Sequence, residues 1–161
     1  MAENPVINAS PIIYLSRSGL LDLLQIISPE IVVPEAVAAE ILQRGTGDIT
    51  AQAIRQTNWL KVVPTPIIQP KILAWSLGAG ESSVLAWALA NTETEAIIDD
   101  LAARRCAAAL RIPVRGTLGL ILTAKNRGEI PAARPLLEKL RQNGMYLSDK
   151  VLNQALFLVG E

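Results

Sequence analysis

The sequence predicts an α/β fold built on a parallel sheet. Short β-branched runs alternate with helical patterns and the loops between them are short throughout, which is the signature of a parallel sheet with crossover helices. Val6-Ile7, Ile31-Val32-Val33, Trp59 to Val63, Ala96-Ile97-Ile98 and Pro113 to Arg115 read as the strands.

The elements follow in order. After Val6-Ile7, the segment SPIIYLSRSGLLDLLQII reads as one broken helix or two short ones, with Ser10 and Pro11 at its start. Behind the second strand, Pro34 suits the first position of a helix PEAVAAEILQR, where a missing N–H is harmless. Asp48 to Thr57 is a further helix. PTPIIQP reads as a loop, because its prolines sustain neither a ladder nor a helix. Gly78 to Ala90 is helical, and the strand at Ala96 runs into Asp99-Asp100. LAARRCAAALR forms the next helix. Thr117 reads as the cap of TLGLILTAKNRG, which Gly128 closes. Two last helices, about 132–143 and 148–159, finish the chain, and nothing in the composition separates a second domain, so residues 1–161 are expected to form one. Leu136, Leu137, Leu140, Leu152, Leu156 and Leu158 suit core or a dimer surface, core being the favoured reading.

Composition narrows the chemistry. Half of the 161 residues are hydrophobic but only 4% are aromatic, so aliphatic side chains must do the packing. No apolar run approaches the roughly 18 residues of a spanning helix, and MAENPVINASPIIYL lacks the pattern of a signal peptide. With a single cysteine, Cys106, no disulfide forms, and a cytoplasmic location is expected; Cys106 reads as a small core residue. The chain has no histidine, which removes Ser-His-Asp and Cys-His catalysis and His-ligated zinc. A strand-end aspartyl phosphotransferase is disfavoured because the first strand ends in Asn8. GAGESS also lacks the lysine and spacing of a phosphate-binding loop. Carboxylates remain.

Net charge is zero but uneven. Residues 1–99 hold five Lys/Arg against ten Asp/Glu, and residues 100–161 hold ten against five. The basic excess at Arg104, Arg105, Arg111, Arg115, Lys125, Arg127, Arg134, Lys139 and Arg141 is where a polyanion would find footing.

Four places carry the candidate site. Glu81 lies on the helical stripe of Val84, Leu85, Ala88 and Leu89, where a carboxylate needs a partner, a proton or a metal. Glu40 sits at the edge of the apolar stripe of its helix. Asp99 and Asp100 face opposite ways after a buried strand, so one should cap the following helix while the other faces the crevice at the strand ends. Asn8, with Ser10 after it, ends the first strand at the same edge. Should these groups converge, like charges about 4 Å apart repel by roughly 4 kcal/mol per pair at an effective dielectric near 20. All-oxygen ligation selects a hard cation, Mg²⁺ or Mn²⁺.

The segments VINASPIIYL, VPEAVAAEIL, GAGESSVLAWALA, IIDDLAARRCA and GTLGLILTAKNRGEI, in this order, resemble the PIN-domain family, in particular its branch of uncharacterised VapC-like toxin homologues. The resemblance implies a three-layer α/β/α fold around a parallel sheet with an acidic pocket at one end. Its acids fall on Asn8, Glu40, Glu81 and Asp100, with Asp99 as the alternate and Ser10 as the small polar residue two places after the first. It also implies Mg²⁺- or Mn²⁺-dependent cleavage of single-stranded or structured RNA, a homodimer, and a small antitoxin protein that blocks it; no membrane is involved. Asn8 departs from the pattern, because an aspartate usually stands there. A neutral carbonyl should weaken metal binding without disturbing the fold, which leaves a non-catalytic module binding RNA or a protein as the alternative.

Overall fold

A computed structural model describes residues 3–161. Five strands, β1 (Val6–Ile7), β2 (Ile31–Pro34), β3 (Leu60–Val63), β4 (Ala96–Ile97) and β5 (Val114–Arg115), form one parallel sheet in the order β3-β2-β1-β4-β5. Helices flank it as outer layers, so the expected three-layer α/β/α architecture is observed. β1 lies at the centre. The chain builds outward through β2 and β3, then crosses back over β1 to place β4 on its other side. That reversal between β1 and β4 is where such sheets open a crevice at their carboxyl ends. Asn8 follows β1 there and Asp99 follows β4.

The helices among the described residues are α1 (Ala9–Arg17), α2 (Glu35–Leu42), α3 (Ile49–Gln56), α4 (Pro70–Leu73), α5 (Ala79–Ala90), α6 (Leu101–Ala109), α7 (Thr117–Asn126), α8 (Arg134–Gln142) and α9 (Asp149–Leu158), with a 3-10 helix at Leu21–Ile26. The segment after β1 is thus broken in two: Gly19, at φ +69°, provides the left-handed turn that ends α1. α5 is the central helix and packs against α2, α4, α6, β1, β2 and β4. It is therefore buried nearly all round. Ser82, Ser83 and Ala86 are covered along with Val84, Leu85 and Ala88, so its apolar face is wider than the stripe visible in the sequence.

Some boundaries differ from the sequence expectation. Pro34 closes β2 with its ring buried and stands just ahead of α2, whose first residue is Glu35. Part of PTPIIQP is helical after all: Pro70, at an N-terminal position where proline costs nothing, opens α4. α1 begins at Ala9, so Ser10 lies within its first turn rather than at its cap. Gly116, not Thr117, precedes α7, because the Thr117 hydroxyl is engaged elsewhere.

Leu137, Leu140, Leu152 and Leu156 are buried and Leu136 is half-buried, as expected of core. Leu158 is exposed. Cys106 is fully buried, and burial pushes its thiol up, in keeping with a packing role. No helix among the described residues is long and apolar enough to cross a membrane.

Leu85 is fully buried at the middle of α5. Its truncation to Ala should cost about 2–5 kcal/mol, read as a lower urea midpoint at unchanged slope.

Candidate active site

The site is built where α5 meets the ends of β1 and α2. Gly80 makes this contact possible. A Cβ there would lie 2.9 Å from Glu40 Oε2 and 3.0 Å from Asn8 Oδ1, so the absent side chain lets the first turn of α5 approach both groups without displacing either. It follows that those two oxygens stand within about 6 Å of each other.

Asn8 is 2% exposed and precedes α1, yet its side chain makes no capping bond, and Oδ1 has no hydrogen-bond partner. The turn-satisfying role that a strand-end asparagine often plays is thus not filled here. Glu40, although exposed as a residue, brings its carboxylate against Gly80. Desolvation, and then repulsion from Glu81, push its carboxyl above the usual range. Glu81 is half-buried in the first turn of α5, its Oε2 lying over Gly78, the residue that precedes the helix. The positive end of the helix dipole favours both carboxylates there.

The strand-end acids are divided in their tasks. Asp100 precedes α6 and accepts from the Ala103 amide at 2.9 Å, the capping role expected of one of the pair. Asp99 accepts from the Thr117 amide and the Thr117 hydroxyl, both at 2.7 Å, and so serves the first amide of α7. Gly116 is glycine for a local reason as well: a Cβ there would meet the Arg104 guanidinium and would stand 3.1 Å from Asp99 Oδ1.

A cleft of about 940 Å³ opens beside these residues, lined by Ser10, Glu81, Asp99 and Asp100 together with Tyr14, Arg104 and Tyr146. The candidate residues therefore fall into two overlapping groups. Asn8, Glu40 and Gly80 form one, with Glu81 close enough to repel Glu40. Glu81, Asp99, Asp100 and Ser10 form the other along the cleft wall. Among the described residues, no three of the acids and Cys106 gather as a metal-binding group. The third oxygen beside Glu40 belongs to an amide.

Arg104 and Tyr146 did not figure among the sequence-derived site residues. Arg104 was legible only as one of many basic side chains; like Arg105, Arg111, Arg134 and Lys139 it makes no ion pair among the described residues, and what sets it apart from those four is its place on the cleft wall. Arg115 pairs with Glu95 at 2.7 Å, Lys125 with Glu161 at 3.6 Å, Arg141 with Glu138 and Asp149 at 3.0 and 2.6 Å, and Arg127 donates to the Ile26 carbonyl. Much of the basic excess of the C-terminal half is thus engaged with the protein itself.

The fold is an all-parallel α/β/α sheet with carboxylates near its topological switch point, where such sheets take their ligands. The family described as DUF3368, PIN domain, matches residues 4–161, and the chain belongs to it. No curated protein and no solved structure matches the chain. PIN domains are in general divalent-metal-dependent nucleases acting on RNA.

Because Glu40's carboxyl lies above its ordinary value of 4.5, its charge opposes folding once ionised, and that cost vanishes below the ordinary value. With metal chelated, Glu40→Gln should therefore melt higher than wild type at pH 7. Allowing for solvent screening, the gain is about 1–2 °C. The gap should close as the pH falls toward 4.5, followed by thermal melts across pH 4–8.

Proposed function

We propose that the chain is a single-domain, metal-dependent endoribonuclease, with Glu40, Glu81 and the Asp99-Asp100 pair as its acidic machinery and Asn8 as a neutral donor beside them. The observation that carries this reading is the juxtaposition across Gly80. A buried carbonyl oxygen without a partner stands next to one carboxylate, and desolvation, then the second carboxylate, raises the first one's affinity for protons.

The donor set fits a hard cation. Every group is an oxygen, no imidazole is present and the one thiol is buried away as core, so Mg²⁺ or Mn²⁺ suits these residues better than zinc. Asn8, Glu40 and Glu81 are the residues that would hold it, with Asp99 or Asp100 contributing from the cleft side. When bound, such an ion activates water for attack on a phosphodiester. The chain's own residues contribute the rest. Glu40, whose carboxyl desolvation and then Glu81 push above the usual range, is the acid that a bound cation would relieve most. Thr117 holds Asp99 in one orientation, and Asp100 is anchored by Ala103. Ser10 lines the same wall.

The toxin role, a small antitoxin and a homodimer come with the family resemblance, and the cytoplasmic location rests on the lone cysteine and the N-terminal pattern. Exposed apolar side chains on α9, Phe157 at 83% and Leu158 at 74%, are surfaces that a protein partner would cover. The second reading is a weakened PIN module that binds RNA or protein without cleaving. Asn8 favours it, because affinity for hard cations follows ligand charge.

Cleavage of single-stranded RNA with Mg²⁺ and Mn²⁺ separates the readings. Wild type should cleave and Glu81→Gln should lose at least about a hundredfold, a loss typical of removing a group that acts in the transition state. Equal rates in both proteins, or no cleavage by either at high metal, would remove the nuclease assignment. Asn8→Asp should tighten Mn²⁺ binding by about tenfold, as one added charge roughly implies. Unchanged binding, measured by Mn²⁺ paramagnetic relaxation, would place the metal elsewhere.

A further inference from the structure

Tyr146 is 90% exposed, although Met145 and Leu147 on either side of it are buried. The two flanking side chains anchor the loop between α8 and α9, and with its neighbours held in the core the tyrosine ring is thrust into solvent. The ring stands at the rim of the cleft that holds Glu81 and Asp99. A large aromatic surface left in water beside an acidic site is a platform for something flat.

Arg104 lines the same cleft and makes no ion pair among the described residues. Its guanidinium donates to the Ile98 carbonyl and lies against Gly116 and Asp99. The N–H groups that Arg104 does not spend on Ile98, and the exposed Tyr146 ring on the same cleft, match the repeating chemistry of an unpaired nucleic-acid strand, a phosphate and an exposed base face. A duplex hides its base faces in the stack and offers such a ring nothing.

We propose that Tyr146 and Arg104 form a nucleotide subsite on the cleft wall, the tyrosine stacking on one unpaired base and the remaining N–H groups of the arginine holding a phosphate beside it. The subsite deepens the ribonuclease reading and rests on it. The stack is sequence-tolerant, since every base has a face; it sets the strand's state and register rather than its sequence.

The test is fluorescence anisotropy in a Glu81→Gln background, with a labelled ten-nucleotide RNA, its duplex, and a fully abasic strand of the same length. Cleavage of the same RNA is followed in parallel with Glu81 intact. Tyr146→Ala should weaken binding of the single strand by about tenfold, within the range of one base stack. Tyr146→Phe should stay near the parent, and the difference between Tyr146→Ala and the parent should disappear on the abasic strand. Arg104→Gln should lower the salt slope by about one. Circular dichroism melts of Tyr146→Ala should match the parent. Equal binding by Tyr146→Ala and the parent, or a loss that persists on the abasic strand, overturns the subsite while wild-type cleavage leaves the nuclease reading standing. A wild type that neither binds nor cleaves any of these RNAs overturns both.

Discussion

The close approach of α5 to the ends of β1 and α2, through the missing side chain of Gly80, is the constraint on which the site depends. α5 touches three strands and three helices, so its position cannot relax to relieve a local strain. Packing fixes the helix, and the helix fixes how near Glu81 comes to Glu40. A densely packed interior transmits such a constraint rather than absorbing it. The electrostatic tension at the surface end of α5 is therefore a consequence of apolar packing at its middle.

Charge is distributed around that contact with some economy. Asp99 and Asp100 have amide or hydroxyl donors at 2.7–2.9 Å, which lets two adjacent acids stand at one strand end. Farther out, Glu161 accepts from the Ala133 and Arg134 amides and lies near Lys125; those amide bonds, above all the one from Ala133, hold its carboxyl below the usual range. Glu40 is the acid pushed the other way. The contrast separates carboxylates that hold the fold from one that the fold holds at a cost. Residues of the second kind are where chemistry is sought.

Much of this was legible in the sequence. The strands at Val6-Ile7, Ile31 and Ala96 follow from short β-branched runs, and their parallel order follows from the helices between them. Glu81 stood out because a carboxylate on an apolar stripe has a cost, and the cost is visible one helix turn at a time. Gly80 did not stand out. Its role appears only when α2 and β1 are brought to it from distant parts of the chain. The same holds for Thr117, whose placement at a helix start suggests a cap until Asp99, eighteen residues earlier, claims its hydroxyl. Tyr146 and Arg104 were hidden for a related reason. Exposure and lack of an ion-pair partner are properties of the folded surface, and neither leaves a periodic trace.

Asn8 is where the sequence and the structure put different weights on one residue. By charge count an asparagine is a loss, since it removes a negative oxygen from a cation's reach. By burial it is a moderation. An aspartate at 2% exposure beside Glu40 would add a third like charge to a dry corner, whereas the amide adds only a dipole. The amide has its own cost, because a buried acceptor without a donor forfeits about 1–3 kcal/mol, and an apolar residue of similar size would avoid it. Asn8 Oδ1, Glu40 and Glu81 are all acceptors. While all stay ionised or unprotonated none of them can satisfy another, and the three acceptors around the glycine gap are completed either by a proton on Glu40, whose affinity for one is raised, or by a cation. The missing charge at Asn8 and the raised proton affinity of Glu40 thus answer the same crowding of like charge, one by neutrality and the other by protonation.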